Sequence, residues 1–175
     1  MNSEIKKILS ISPVDGRYNS KTQPLSKYFS EFALIKYRVF VEIEYFLELT
    51  TLPIKYFNNI SPETKKKIKK IFEDFSESDA LRIKEIEKKI NHDVKAVEYF
   101  IKEEFEKINL GSYKEFIHFG LTSQDINNTA VPLMLKDGLK EILTPSFNDL
   151  IKNLEDFSKK TNNIPMVART HGQVA

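Results

Sequence analysis

Three features of this 175-residue sequence predict an all-α fold. It contains only five glycines and seven prolines. Apolar residues recur at spacings of three and four through most of its length. Nothing alternates strictly enough for a strand beyond a short extended piece at "NIPMVART". With 41% hydrophobic and 30% charged residues, the chain can build one sizeable core, or one domain and the beginning of another.

In chain order, "SISPVDGRYNSKTQPLS" combines two prolines, an Asp-Gly pair and several hydroxyl residues, and reads as an extended lead-in with a turn at Asp15-Gly16. From about Leu25 to Leu49 there is no glycine or proline, and Phe29, Phe32, Ile35, Val39, Ile43 and Phe46 predict one long buried helix. Ser61-Pro62 supplies a cap and first-turn pair for a helix to about Phe75. Ser78 precedes Asp79 and a run holding Leu81, Ile83, Ile86 and Ile90, which predicts a helix to about Lys89. After the interruption "NHD", residues Val94, Val97, Ile101 and Phe105 mark an amphipathic helix closing near Gly111. Ser112 starts a short helix with Phe116 and Ile117. Thr122, with Asp125 three residues on, opens a long one that Pro132 and Pro145 should kink or interrupt.

A net charge of +2 gives no reason to expect a nucleic acid, and the basic run Lys65–Lys70 reads as a solvated helix face because no aromatic platform accompanies it. The sequence has no cysteine, which removes disulfides, thiolate metal sites and a cysteine nucleophile. Its most apolar stretch, "FALIKYRVFVEIEYFLEL", is broken by Lys36, Arg38, Glu42 and Glu44 and cannot span a membrane. "MNSEIKKILSIS" lacks the apolar core of a secretory signal, so a cytoplasmic protein is expected.

The three histidines stand in polar or boundary settings: "NHDV", "IHFGLTSQD" and "RTHGQ". No His-x-x-x-His pair or Gly-x-Ser-x-Gly elbow is present, so neither a zinc site nor a serine hydrolase is read here, and no metal or cofactor is expected. Thr122 and Ser123 at a helix start would offer hydroxyls and unpaired N–H groups to a carboxylate or phosphate; plain N-capping explains the same residues. Arg17-Tyr18 after a tight turn could likewise grip an anion or form a surface salt bridge beside a packed tyrosine.

"SPVDGRY", "NHDVKAVEYF", "EFIHFGLTSQDINN" and "RTHGQ", in that order, resemble blocks of the adenylosuccinate lyases, in their bacterial-type branch, within the fumarase/aspartase superfamily. The resemblance covers the whole chain. It implies a helical N-terminal domain over residues 1–111 and, over 112–175, the beginning of the long-helix bundle domain of that superfamily. It also implies elimination of fumarate from adenylosuccinate, and from the succinylated carboxamide nucleotide of purine synthesis, in a homotetramer. By that pattern His171 is the general acid, and His92 supports it or grips substrate. Asn91 and Asp93 belong to the binding loop, Arg17 and Tyr18 hold the nucleotide end, Thr122 and Ser123 hold a carboxylate, and His118 contacts substrate or packs behind their loop. The family's general base, a serine in a signature resembling "SSxMPxKxNP", is not among these residues, so an N-terminal fragment without turnover of its own is expected. Another superfamily lyase, such as one acting on argininosuccinate, and a non-catalytic helical interaction module are the competing readings.

Overall fold

The computed structural model describes residues 3–167 and 169–174. It is built of helices: α1 (Ser3–Ile8), α2 (Asn19–Thr22), α3 (Ser26–Phe29), α4 (Glu31–Leu49), α5 (Pro62–Glu73), α6 (Glu77–Ile90), α7 (Asp93–Lys107), α8 (Ser123–Gly138) and α9 (Thr144–Thr161). A two-residue antiparallel ladder, β1 (Arg169–Thr170) with β2 (Gln173–Val174), is the only strand pairing among the described residues. The chain divides into two compact units, 1–138 and 139–175. The boundary expected at 111/112 refers to the architecture of longer proteins; here α8 packs on α3 and α4 within the first unit.

Local chemistry sets most boundaries. The helix expected from Leu25 to Leu49 is two helices, because Ser30 adopts extended backbone and its hydroxyl caps α4 by accepting the Ala33 N–H at 3.1 Å. The expected extended lead-in is instead a succession of tight turns and short helices through Phe29. Gly16 shows why: a Cβ there would lie 2.6 Å from the Lys7 carbonyl oxygen, so the Asp15-Gly16 turn folds back against α1. Ser61 and Pro62 begin α5 as expected, with the Ser61 hydroxyl accepting from the Thr64 N–H. α6 starts two residues earlier than Ser78 suggested. The Asp79 carboxylate accepts from both the N–H and the hydroxyl of Ser76. Residues 111–116 form a 3₁₀ segment where a short helix was expected.

The main core lies where α4, α5, α6 and α7 meet. Val39, Ile43 and Phe46 of α4, Ile68 of α5, Ile83 of α6 and Val97, Ile101 and Phe105 of α7 are essentially closed to solvent. Phe46 and Phe105 meet edge to face with centroids 4.9 Å apart, the arrangement that aligns a positive ring edge with a negative ring face. A second apolar cluster, Val41, Val94, Ile126 and Ala130, joins α4 to the first turns of α7 and α8. This smaller cluster brings two helix N-termini together.

The second unit opens with a π turn at Leu139–Leu143 that runs directly into α9, with Pro145, which has no N–H to donate, just after the junction. Phe147, Leu150, Ile151, Leu154 and Phe157 share one stripe of α9 and are each more than half exposed. No described helix is long and apolar enough to cross a membrane.

Phe46 sits at the centre of the main core, so Phe46→Ala should destabilise the chain by about 3–5 kcal/mol through lost burial and a residual cavity. The check is the shift in urea midpoint followed by circular dichroism.

Candidate functional site

Asn91, His92 and Asp93 form the corner between α6 and α7. Asn91 closes α6 in the left-handed region, φ +55°, a conformation its short polar side chain tolerates. His92 is the N-cap of α7, and its Nδ1 accepts the Lys95 N–H at 3.1 Å. A neutral ring so engaged carries its proton on Nε2, which faces the Ser123 hydroxyl across a long 3.5 Å contact. Asp93 occupies the first turn of α7. Its Oδ1 accepts the Val94 N–H at 2.8 Å and its Oδ2 pairs with Arg38 Nη2 at 2.7 Å. Partial burial works against this charge, yet the Val94 N–H and the Arg38 guanidinium together hold the carboxyl below its ordinary value.

Thr122 and Ser123 begin α8. The Asp125 carboxylate turns back to accept both the Thr122 N–H, at 2.7 Å, and the Thr122 hydroxyl, at 2.8 Å. This repeats the Ser76–Asp79 arrangement at the start of α6. The bonds to Thr122 hold Asp125 below the usual carboxylate range. They also commit the Thr122 hydroxyl hydrogen, so in this state Ser123 is the hydroxyl that faces His92. The first N–H groups of α8 have no acceptor within the helix, and with the helix dipole they leave a positive end beside Ser123.

The His118 side chain turns to a different helix. Its backbone is left-handed, φ +60°, and its Nδ1 lies 2.5 Å from Oε1 of Glu42 on α4. Glu42 is fully buried; burial pushes its carboxyl up, the His118 ring opposes this, and its Oε2 has no protein partner. Arg17 and Tyr18 follow the Gly16 turn, with the guanidinium 5.6 Å from the centroid of the tyrosine ring. Arg17 lines a shallow groove with Lys7, Ile8 and Ser10. It makes no ion pair among the described residues.

His171 lies in the second unit, on the two-residue loop between β1 and β2. Both loop residues have positive φ, +51° for His171 and +78° for Gly172, the signature of a type I′ hairpin turn. Of the expected extended piece, only Arg169–Thr170 form a strand, the first of a hairpin with an exposed histidine at its tip.

Within the first unit, then, the structure brings together His92, Asp93 and Ser123, with Thr122 adjoining. It sets His118 on its own partner, and it leaves Arg17 and Tyr18 without a polar contact to either group. Sequence reading passed over Arg38 and Glu42, taking them only as charges that break a membrane span. Their signal was available: both fall beside the apolar positions Val39 and Ile43 and are one helical turn apart, so both had to be buried with partners. Among the described residues no group of three or more histidine and acidic side chains could hold a metal ion.

The family profile described as Lyase matches residues 16–175. The chain is 51% identical over 179 residues to an adenylosuccinate lyase of Dictyostelium discoideum, covering 99% of the chain. It is 45% identical over 174 residues to one of Vibrio cholerae and 43% identical over 174 residues to one of Escherichia coli, each covering 98% of the chain. The chain spans 38% of the length of each of these relatives.

The Asp93–Arg38 pair has a consequence for acid stability. A folded-state pKa below the unfolded value means stability that is present above about pH 4 and lost as pH falls through the lower folded value. Asp93→Asn should lower stability at neutral pH and flatten its decline below about pH 4. Urea melts across that range would show it.

Proposed function

Since this chain belongs to the Lyase family, we propose that it is the N-terminal part of an adenylosuccinate lyase. The reaction is elimination of fumarate from adenylosuccinate, giving AMP, and the equivalent cleavage of the succinylated carboxamide nucleotide. The observation that carries this reading is the meeting of two helix N-termini in one polar corner. His92 and Asp93 cap α7, and Ser123 begins α8 3.5 Å from the imidazole. A succinyl group bearing two carboxylates suits such a place, because both helix ends present N–H groups and positive dipole ends to an anion.

In the proposed chemistry a base removes the proton beside a succinyl carboxylate. The released electron pair forms the carbon–carbon double bond of fumarate while the carbon–nitrogen bond breaks. The departing purine nitrogen takes a proton from His171, a residue type suited to proton donation near neutrality. Ser123 and the α8 N-terminus stabilise the charge that builds on the carboxylate, and Thr122 joins them once its hydroxyl turns from Asp125. His92 and Asn91 hold substrate and Asp93 fixes the loop that carries them. Arg17 and Tyr18 take the nucleotide phosphate, and His118 supports the Thr122 loop from behind. The base belongs to parts of the complete protein outside these residues. The exposed stripe of α9 suits burial between helices of several subunits, which fits a cytoplasmic homotetramer.

In the complete gene product, His171→Ala and the double replacement Thr122→Ala/Ser123→Ala should each reduce fumarate release from adenylosuccinate by roughly 10²–10⁴-fold with little change in melting temperature. Fumarate release that survives both replacements would remove these residues from the mechanism, and a complete gene product that releases none would favour a helical interaction module. Turnover of argininosuccinate in place of adenylosuccinate would favour a different lyase.

A further inference from the structure

Arg38 belongs to none of the segments assigned a substrate contact above, yet it touches two of them. It is 7% exposed, on the face of α4 turned toward the N-termini of α7 and α8. Its Nη2 pairs with Asp93 Oδ2 at 2.7 Å and its Nε donates to Asn127 Oδ1 at 2.9 Å. His92 adjoins Asp93 in sequence, and Ser123 lies four residues before Asn127 and so on the same face of α8. The guanidinium and the His92–Ser123 contact are thus two rungs between the same pair of helix starts. Val41, Val94, Ile126 and Ala130 lie between these helices and α4.

We infer that Arg38 is a positioning residue, which sets the separation of His92 and Ser123 by holding Asp93 and Asn127 in one planar fork. Only the arginine end of this ion pair is buried, and its desolvation offsets much of the attraction to a half-exposed Asp93, so the pair adds little net stability. What it supplies is direction: two bonds at fixed angles, which neither a lysine point charge nor an apolar side chain reproduces. The packed cluster keeps the helices in contact, and the guanidinium fixes their register. The inference rests on the lyase reading for its effect on turnover, whereas its effect on geometry stands without it.

Two measurements test it. In this chain, long-range proton–nitrogen NMR of the imidazoles should show His92 protonated on Nε2. In Arg38→Met the His92 ring and Lys95 amide signals should shift and broaden while those of His118 stay in place. In the complete gene product, Arg38→Met should raise KM for adenylosuccinate about tenfold and lower kcat/KM by roughly 10², with the melting temperature nearly unchanged. A smaller folded fraction cannot mimic the change in KM. Arg38→Lys should fall between, and Arg38→Met/Asn127→Leu should be no worse than Arg38→Met alone, because both break one link. If Arg38→Met does not fold, Asn127→Leu, at a half-buried position, carries both measurements with a smaller loss in the same direction. Unchanged His92 signals, kinetic constants within about threefold of wild type, or additive losses would overturn the inference. A wild-type product that releases no fumarate would instead sink the lyase reading, and the NMR comparison would still decide the role of Arg38.

Discussion

α4 must be buried, and it carries two ionisable side chains into the buried region. Val39, Ile43 and Phe46 close the main core, and Val41 closes the smaller one, so the helix cannot turn Arg38 and Glu42 outward without losing both. An unpaired charge in such a place is far costlier than a paired one. The remaining chain therefore has to deliver partners to fixed points along α4: Asp93 and Asn127 to Arg38, and His118 to Glu42. These partners lie on or beside the polar turns that interrupt the helical pattern. The apolar cluster brings the turns together, the buried polar groups of α4 fix where they meet, and the candidate site follows from both.

This view changes the weight of the individual residues. Thr122 and Ser123 look equivalent as hydroxyls at a helix start, but Asp125 engages the first and leaves the second facing His92. His92 and His118 look equivalent as histidines in polar surroundings. One caps a helix through Nδ1 and keeps Nε2 toward the corner; the other is bound to a buried carboxylate. The same residue types take different roles because their first hydrogen bonds differ.

Much of this was legible in the sequence. Periodicity located the principal helices, since an apolar row at spacings of three and four has few other ways to be buried. The four blocks that resemble adenylosuccinate lyases named the residues around the corner. What escaped was set by single side-chain bonds. Ser30 divides what periodicity reads as one helix, because a hydroxyl accepting one N–H is invisible to a hydrophobic pattern. The lead-in folds into tight turns because Gly16 allows a close backbone approach, which composition alone registers only as a loop. Arg38 and Glu42 were visible as charges, but their meaning depended on partners 55 to 89 positions away in the chain.

The hairpin tip carries its constraint in the backbone and not in contacts. His171 and Gly172 face water, and surface positions ordinarily accept most replacements. Here two successive residues hold a handedness that side chains resist, so drift at position 172 would be confined to glycine and, at some cost, asparagine or aspartate. A position that looks free by solvent access is thus among the least negotiable in the second unit, and the imidazole next to it inherits its aim from a neighbour that has no side chain at all.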